Sequence, residues 1–350
     1  MGLKACALNT GPDFHLLDHI APLASLLSIP LIVTEPENEQ LASAYYPEVE
    51  VRYWPDIERR LGDLAAEFNA LIECKYWLPH LKNLFKTLYH KEMRLIFCPH
   101  GQSDKGYRAP LLAPYTNQDA VLLYGNLLKT MLVELDLWPS IQRAAFVGNY
   151  RAAYYKIHRA RLQKQTDAEI FSKLNPRNRT LLYAPTWADA DGASTFFAQI
   201  ENLARAKTCE WNVIVKVHPL LRQRQPAEFY RLDGILQKKA NWILVDEFPL
   251  VLPVIDRIDA YLGDYSSVGY DVLMFEKPMF FFTQPHLPQI RIHSCGTVLD
   301  PLKPIFPAIE RGIARDFRAQ QRALANEAFA PVPDLRDLIQ SLMAEEYTRK

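Results

Sequence analysis

Four stretches of this sequence end an apolar run in a short burst of residues able to move protons or hold phosphate. In the first, Leu95-Ile96-Phe97-Cys98-Pro99 runs into His100-Gly101-Gln102-Ser103-Asp104-Lys105-Gly106. Imidazole titrates near neutrality, at about 6.5, so a histidine at the lip of a strand is able to take the proton of an attacking hydroxyl. Lys105 adds a cation for phosphate, and the two glycines allow the loop unusual dihedrals. The plainer alternative for His100 is a loop histidine satisfied by backbone groups.

The second burst follows Leu181-Leu182-Tyr183, where Thr186 offers a hydroxyl and Trp187 a flat apolar face, unless Trp187 merely covers the strand end. The third is Lys216-Val217-His218-Pro219. The strand period of two puts Lys216 and His218 on one face, and gathering such groups at the end of an apolar strand is costly without an anion to meet them. The alternative is that both emerge into water. The fourth is Asp264-Tyr265-Ser266-Ser267, after Tyr261-Leu262-Gly263. Serines opening a helix are good caps, and the same helix start favours anions, so the two roles are compatible.

The elements that must position these bursts alternate along the chain. Strands are expected at Lys4–Leu8, Pro30–Val33, Val49–Tyr53, Ala70–Glu73, Arg94–Cys98, Ala120–Tyr124 and Ala145–Val147, then at Thr180–Tyr183, Asn212–Val217, Trp242–Val245, Ala260–Gly263 and Met279–Phe282. Amphipathic stretches between them, such as Asp18–Leu27, Asp56–Phe68 and Pro226–Leu236, predict helices covering parallel sheets. So many strands in one open sheet would be unusually wide, which favours two sheets in two doubly wound domains. The expected division is residues 1–158 and 159–330, with a helix in 331–350 folding back on the first domain. The basic segment Tyr150–Thr180 is the expected crossing. Open α/β sheets bind ligands at the carboxyl ends of their strands, so the four bursts are expected to face one cleft between the domains.

Composition narrows the function classes. The 40 basic residues balance 40 acidic ones among 350, so no global field draws the chain to nucleic acid. Five scattered cysteines form no C-x-x-C pair, which argues against a disulfide framework and a zinc site, and Cys98 reads as a small core residue. There is no G-x-x-x-x-G-K-[ST] loop, no G-x-G-x-x-G fingerprint and no G-x-S-x-G elbow. No run approaches the roughly 18 apolar residues of a spanning helix, and the start does not read as a signal peptide. A cytoplasmic protein is expected, peripheral to the inner face of the cell membrane.

At the bursts the sequence resembles the CDP-glycerol glycerophosphotransferase family of teichoic-acid primases and polymerases. His100-Gly101 with Lys105, Tyr183-Ala184-Pro185-Thr186-Trp187, Lys216-Val217-His218-Pro219 and Asp264-Tyr265-Ser266-Ser267 with Lys277-Pro278 match that family's motifs in order and rough spacing. Gln102-Ser103-Asp104 departs from the usual pattern after the His-Gly pair, and Ala188 stands where a basic residue often follows the tryptophan. The resemblance implies a GT-B fold, a CDP-linked donor held mainly by the second domain, a glycan or lipid-linked acceptor, and catalysis without a bound metal or other cofactor. It also implies roles. His100 would be the base for the acceptor hydroxyl. His218, Ser266 and Ser267 would bind the donor diphosphate, and His218 would share in catalysis. Thr186, Trp187, Lys216, Asp264 and Lys105 would complete the donor site. The alternatives are a GT-B glycosyltransferase using a nucleotide sugar and a non-catalytic binding protein for a phosphorylated ligand.

Overall fold

A computed structural model describes residues 3–78, 80–104, 109–187, 192–206 and 210–344. The chain divides into two compact units: Met1–Ile157 with Glu327–Lys350, and His158–Asn326.

The first unit is built on a seven-stranded sheet. Its strands are β1 (Ala5–Asn9), β2 (Leu31–Val33), β3 (Val51–Tyr53), β4 (Ala70–Glu73), β5 (Arg94–Phe97), β6 (Ala120–Leu123) and β7 (Ala144–Phe146). They lie in the order β3-β2-β1-β4-β5-β6-β7, every pair parallel. The second unit has a six-stranded sheet of β8 (Arg179–Tyr183), β9 (Trp211–Lys216), β10 (Trp242–Val245), β11 (Ala260–Gly263), β12 (Met279–Phe281) and β13 (Thr297–Val298). Its order is β10-β9-β8-β11-β12-β13, again all parallel.

Parallel strands need crossover helices, which cover both faces, so their sequences are apolar throughout rather than alternating. Ala120-Val121-Leu122-Leu123 of β6 is buried at every position, and so are Ala70–Glu73 of β4 and Ala260–Gly263 of β11. In the second unit the core joins Leu181, Tyr183, Val213 and Val215 of the sheet to Phe196, Ile200 and Leu203 of the helix Phe196–Arg205, with Phe229 and Leu232 from Pro226–Leu236.

The crossing segment forms a 20-residue helix, Tyr150–Glu169. The short edge strand β13 has only two residues and no hydrophobic pattern to announce it. Among the described residues no helix is long and apolar enough to cross a membrane.

Each sheet reverses its strand order once, at β1/β4 in the first unit and β8/β11 in the second. At such a point the flanking crossovers leave to opposite sides and open a crevice at the carboxyl ends of the strands.

Candidate functional site

In the second unit the last residues of β9, β8 and β11, three neighbouring strands, deliver the sequence bursts to the switch point. Asp264 follows β11 and is fully buried. Its Oδ1 accepts the Thr186 amide at 2.8 Å, and its Oδ2 accepts the Thr195 amide at 2.9 Å and the Thr195 hydroxyl at 3.0 Å. With that hydroxyl proton committed, the Tyr183 hydroxyl donates to Thr195 Oγ1 at 3.2 Å. Burial and the Asp264 charge hold the Tyr183 phenol well above its ordinary range, so it stays a donor. One carboxylate therefore ties the end of β11 to the loop after β8 and to the start of the helix Phe196–Arg205.

The backbone carbonyl of Asp264 is held as well. Buried His293 lies 3.1 Å from it through Nε2, while His293 Nδ1 accepts the Ile290 amide at 3.2 Å. The amide fixes the tautomer: Nδ1 is the acceptor and Nε2 carries the proton. The His293 ring also meets Tyr265 edge-on at 4.9 Å. The turn Asp264-Tyr265-Ser266-Ser267 thus rests on bonds from both its side chain and its main chain. Beyond it the Ser266 hydroxyl accepts the Val268 amide at 3.4 Å, at the start of the five-residue helix Val268–Val272.

His218 occupies the N-cap of the helix Pro219–Arg224, with its Nδ1 accepting the Leu220 amide at 3.2 Å. In the neutral ring the proton then sits on Nε2, which makes this nitrogen a donor toward an anion. The ring lies 6.2 Å from that of Trp187, and the Arg224 guanidinium sits 4.5 Å above the Trp187 ring. This is cation–π distance. Lys216 closes β9, and its ammonium reaches the carbonyl of Phe248, beyond β10. The period of two placed Lys216 and His218 on one strand face, but β9 stops at Lys216 and His218 belongs to the following cap.

In the first unit His100 is exposed just beyond β5, and its Nδ1 lies 3.0 Å from the carbonyl of Cys74, just beyond β4. A carbonyl only accepts, so Nδ1 carries the proton and Nε2 of the neutral ring is the basic nitrogen. The His19 ring approaches that of His100 edge-on at 6.3 Å. Burial, with Arg151 and the neighbouring histidines, holds His19 well below the ordinary histidine range, so it is neutral. At the switch point itself the Thr10 hydroxyl donates to Glu73, and Lys75 pairs with Asp13 at 2.8 Å. Burial raises the Glu73 carboxyl. Lys105 lies outside the described residues.

The structure thus brings Thr186, Asp264, Ser266 and Ser267 to two adjacent strand ends and His218 and Lys216 to the next, while His100 belongs to the other unit. Sequence reasoning missed Thr195, His293 and Arg224, none of which ends an apolar run.

Known proteins bear on this arrangement. Residues 156–317 match the model of the CDP-Glycerol:Poly(glycerophosphate) glycerophosphotransferase family. The matched segment is nearly the whole of the second unit, His158–Asn326. Among curated relatives, the teichoic acid ribitol-phosphate polymerase TarL of Staphylococcus aureus is 27% identical over 156 residues, covering 43% of this chain and 25% of TarL. The teichoic acid glycerol-phosphate primase of Bacillus spizizenii is 26% identical over 134 residues, 37% of this chain and 31% of the primase. The match therefore spans only a quarter to a third of these relatives' length. Among solved structures, the wall teichoic acid polymerase TagF is similar with a TM-score of 0.65 at 15% identity, over 97% of this chain and 88% of that one. MnaA of S. aureus, solved with UDP, reaches 0.64 at 11% identity over 100% and 99%. The fold is GT-B: two doubly wound α/β units with parallel sheets.

Proposed function

We propose that this protein is a phosphotransferase that moves a polyol phosphate from a CDP-linked donor to a hydroxyl of a glycan or lipid-linked acceptor in cell-wall polymer synthesis. One observation carries the reading: the motif residues of the family-matched unit leave three neighbouring strands at its switch point. Relatives named as glycerol-phosphate and ribitol-phosphate enzymes support the class of transferred group, and glycerol phosphate is the leading choice.

In this reading the donor diphosphate lies against the His218 Nε2–H and the Ser266 and Ser267 hydroxyls. Lys216, Thr186 and Lys105 give further phosphate contacts, and Trp187 offers the nucleotide an apolar face. Asp264 acts indirectly, because its carboxylate is spent on Thr186 and Thr195. Nε2 of His100 takes the acceptor proton as the hydroxyl oxygen attacks the β-phosphorus in line. The bond from that phosphorus to the bridging oxygen breaks, CMP leaves with both electrons, and donors at His218 and the serines stabilise the charge it carries away. A lipid-linked acceptor places the reaction at the inner face of the membrane.

The test is a donor panel of CDP-glycerol, CDP-ribitol and UDP-sugars, with the transferred group identified by mass spectrometry. CMP release with a polyol phosphate on the acceptor is expected. Turnover with nucleotide sugars alone would establish a glycosyltransferase instead, and cytidine nucleotide binding without turnover on any acceptor a binding protein. His100→Ala is expected to lower kcat by about 10²–10⁴ while nucleotide binding persists. His218→Ala is expected to weaken donor binding as well.

A further inference from the structure

The residue assigned as base sits in a loop, and a loop histidine is useful only if something fixes it. Two backbone groups flank the imidazole in sequence: the carbonyl of Pro99 and the amide of Gly101. Both meet the same atom. The Tyr124 hydroxyl donates to the Pro99 carbonyl at 3.0 Å and accepts the Gly101 amide at 3.3 Å. Its third partner is Nδ1 of His19, at 3.2 Å. The single phenolic proton goes to the carbonyl, which accepts only, so the neutral His19 donates from Nδ1 and the oxygen is used fully, one bond given and two received. Gly101 at φ +110° adopts a backbone that a side-chain-bearing residue rarely takes, so the loop depends on these bonds rather than on regular structure.

Tyr124 itself is placed by the sheet. It follows β6, is buried, stacks on Tyr150 at 5.9 Å with 9° between the planes, and meets Phe329 edge-on at 5.9 Å. Desolvation holds its phenol far above the ordinary range, so it remains a donor at any working pH. Buried beneath the loop, Tyr124 acts through His100 and not on an acceptor.

We infer that Tyr124 is a positioning residue. Its hydroxyl clamps the backbone on both sides of His100 and so keeps the His100 Nδ1–H on the Cys74 carbonyl and Nε2 as the basic nitrogen. The clamp rests on the proposed role of His100 in catalysis, but the tautomer can be read without any substrate. In water the imidazole proton favours Nε2, and a ring with its proton there cannot accept another at Nε2, while its Nδ1 faces the Cys74 carbonyl. A base whose tautomer is uncontrolled is therefore idle for part of the time.

The experiment compares the full chain with Tyr124→Phe, which keeps both ring contacts and deletes the hydroxyl. Nitrogen NMR of ¹⁵N-histidine protein, with the His100 signals assigned by His100→Asn, reads the tautomer directly. The wild type is expected to hold the proton on Nδ1, and Tyr124→Phe to shift population toward Nε2–H. In assays kcat is expected to fall about 10-fold while donor KM stays within about two-fold, because the donor residues other than Lys105 belong to the second unit. A wild-type His100 protonated on Nε2 would overturn the inference, even if the variant failed to fold. So would a Tyr124→Phe protein with unchanged tautomer or unchanged kcat. Absence of any transferase activity in the wild type would sink the proposed function, while the tautomer would still decide the clamp.

Discussion

Asp264 is held through both its side chain and its main chain. Its two carboxylate oxygens take three donors from Thr186 and Thr195, and its carbonyl takes the His293 proton. Asp264→Asn would turn an amide N–H toward the Thr195 amide, leaving buried donors facing each other. The expected cost is about 1–3 kcal/mol in urea denaturation, and donor affinity should fall although no donor contact is removed. His19 gives the pH prediction. Its folded pKa lies below the ordinary value of about 6.5, so the unfolded chain binds more protons in that window. Stability is full above about pH 6.5 and is lost as pH falls toward the depressed folded value; thermal melts should show this slope, and His19→Gln should flatten it. At this scale the sequence revealed residue types but not partners. Asp264 and Ser266 were visible because they end an apolar run. His293 and Thr195 reach the same turn from 29 and 69 positions away, and no local pattern marks a bond of that range.

Strands were the most legible elements. Runs such as Leu95-Ile96-Phe97 and Val213-Ile214-Val215 are apolar because a parallel strand is covered on both faces, and that is visible in any window of the sequence. Ends were less so, since β9 stops at Lys216 where continuing apolar character suggested Val217, and Pro219 starts a helix capped by His218. The end of β11 is tighter still. A Cβ on Gly263 would lie 2.2 Å from the Tyr261 hydroxyl oxygen, with the buried ring close behind. Gly263→Ala therefore forces the strand end or the ring to move. It should cost about 1–3 kcal/mol in denaturant unfolding and displace the Asp264–Ser267 turn, seen as weaker nucleotide binding by calorimetry.

Over the whole molecule, two sheets and a chain that passes between two units were readable from the count of strands. Their order was not, because a list of strands does not say where the sheet reverses. The chain also comes back: residues Glu327–Lys350 belong to the first unit, where the Ala330 amide bonds the Tyr124 carbonyl at 2.8 Å and Arg143 caps the last helix, Leu335–Met343, through the Leu342 carbonyl at 3.0 Å. Ile339 of that helix is fully buried. Ile339→Ala should cost the first unit about 2–5 kcal/mol, measured by hydrogen exchange on its strands, and leave exchange in β8–β11 unchanged.

That return has a temporal meaning. Synthesis proceeds from the amino terminus, so the second unit, His158–Asn326, is made in full before the residues that complete the first. During that interval the apolar surface awaiting Leu335, Ile339 and Leu342 stays uncovered. Of the two units, the one begun first is completed last, and the length of the other sets how long its apolar surface stays uncovered.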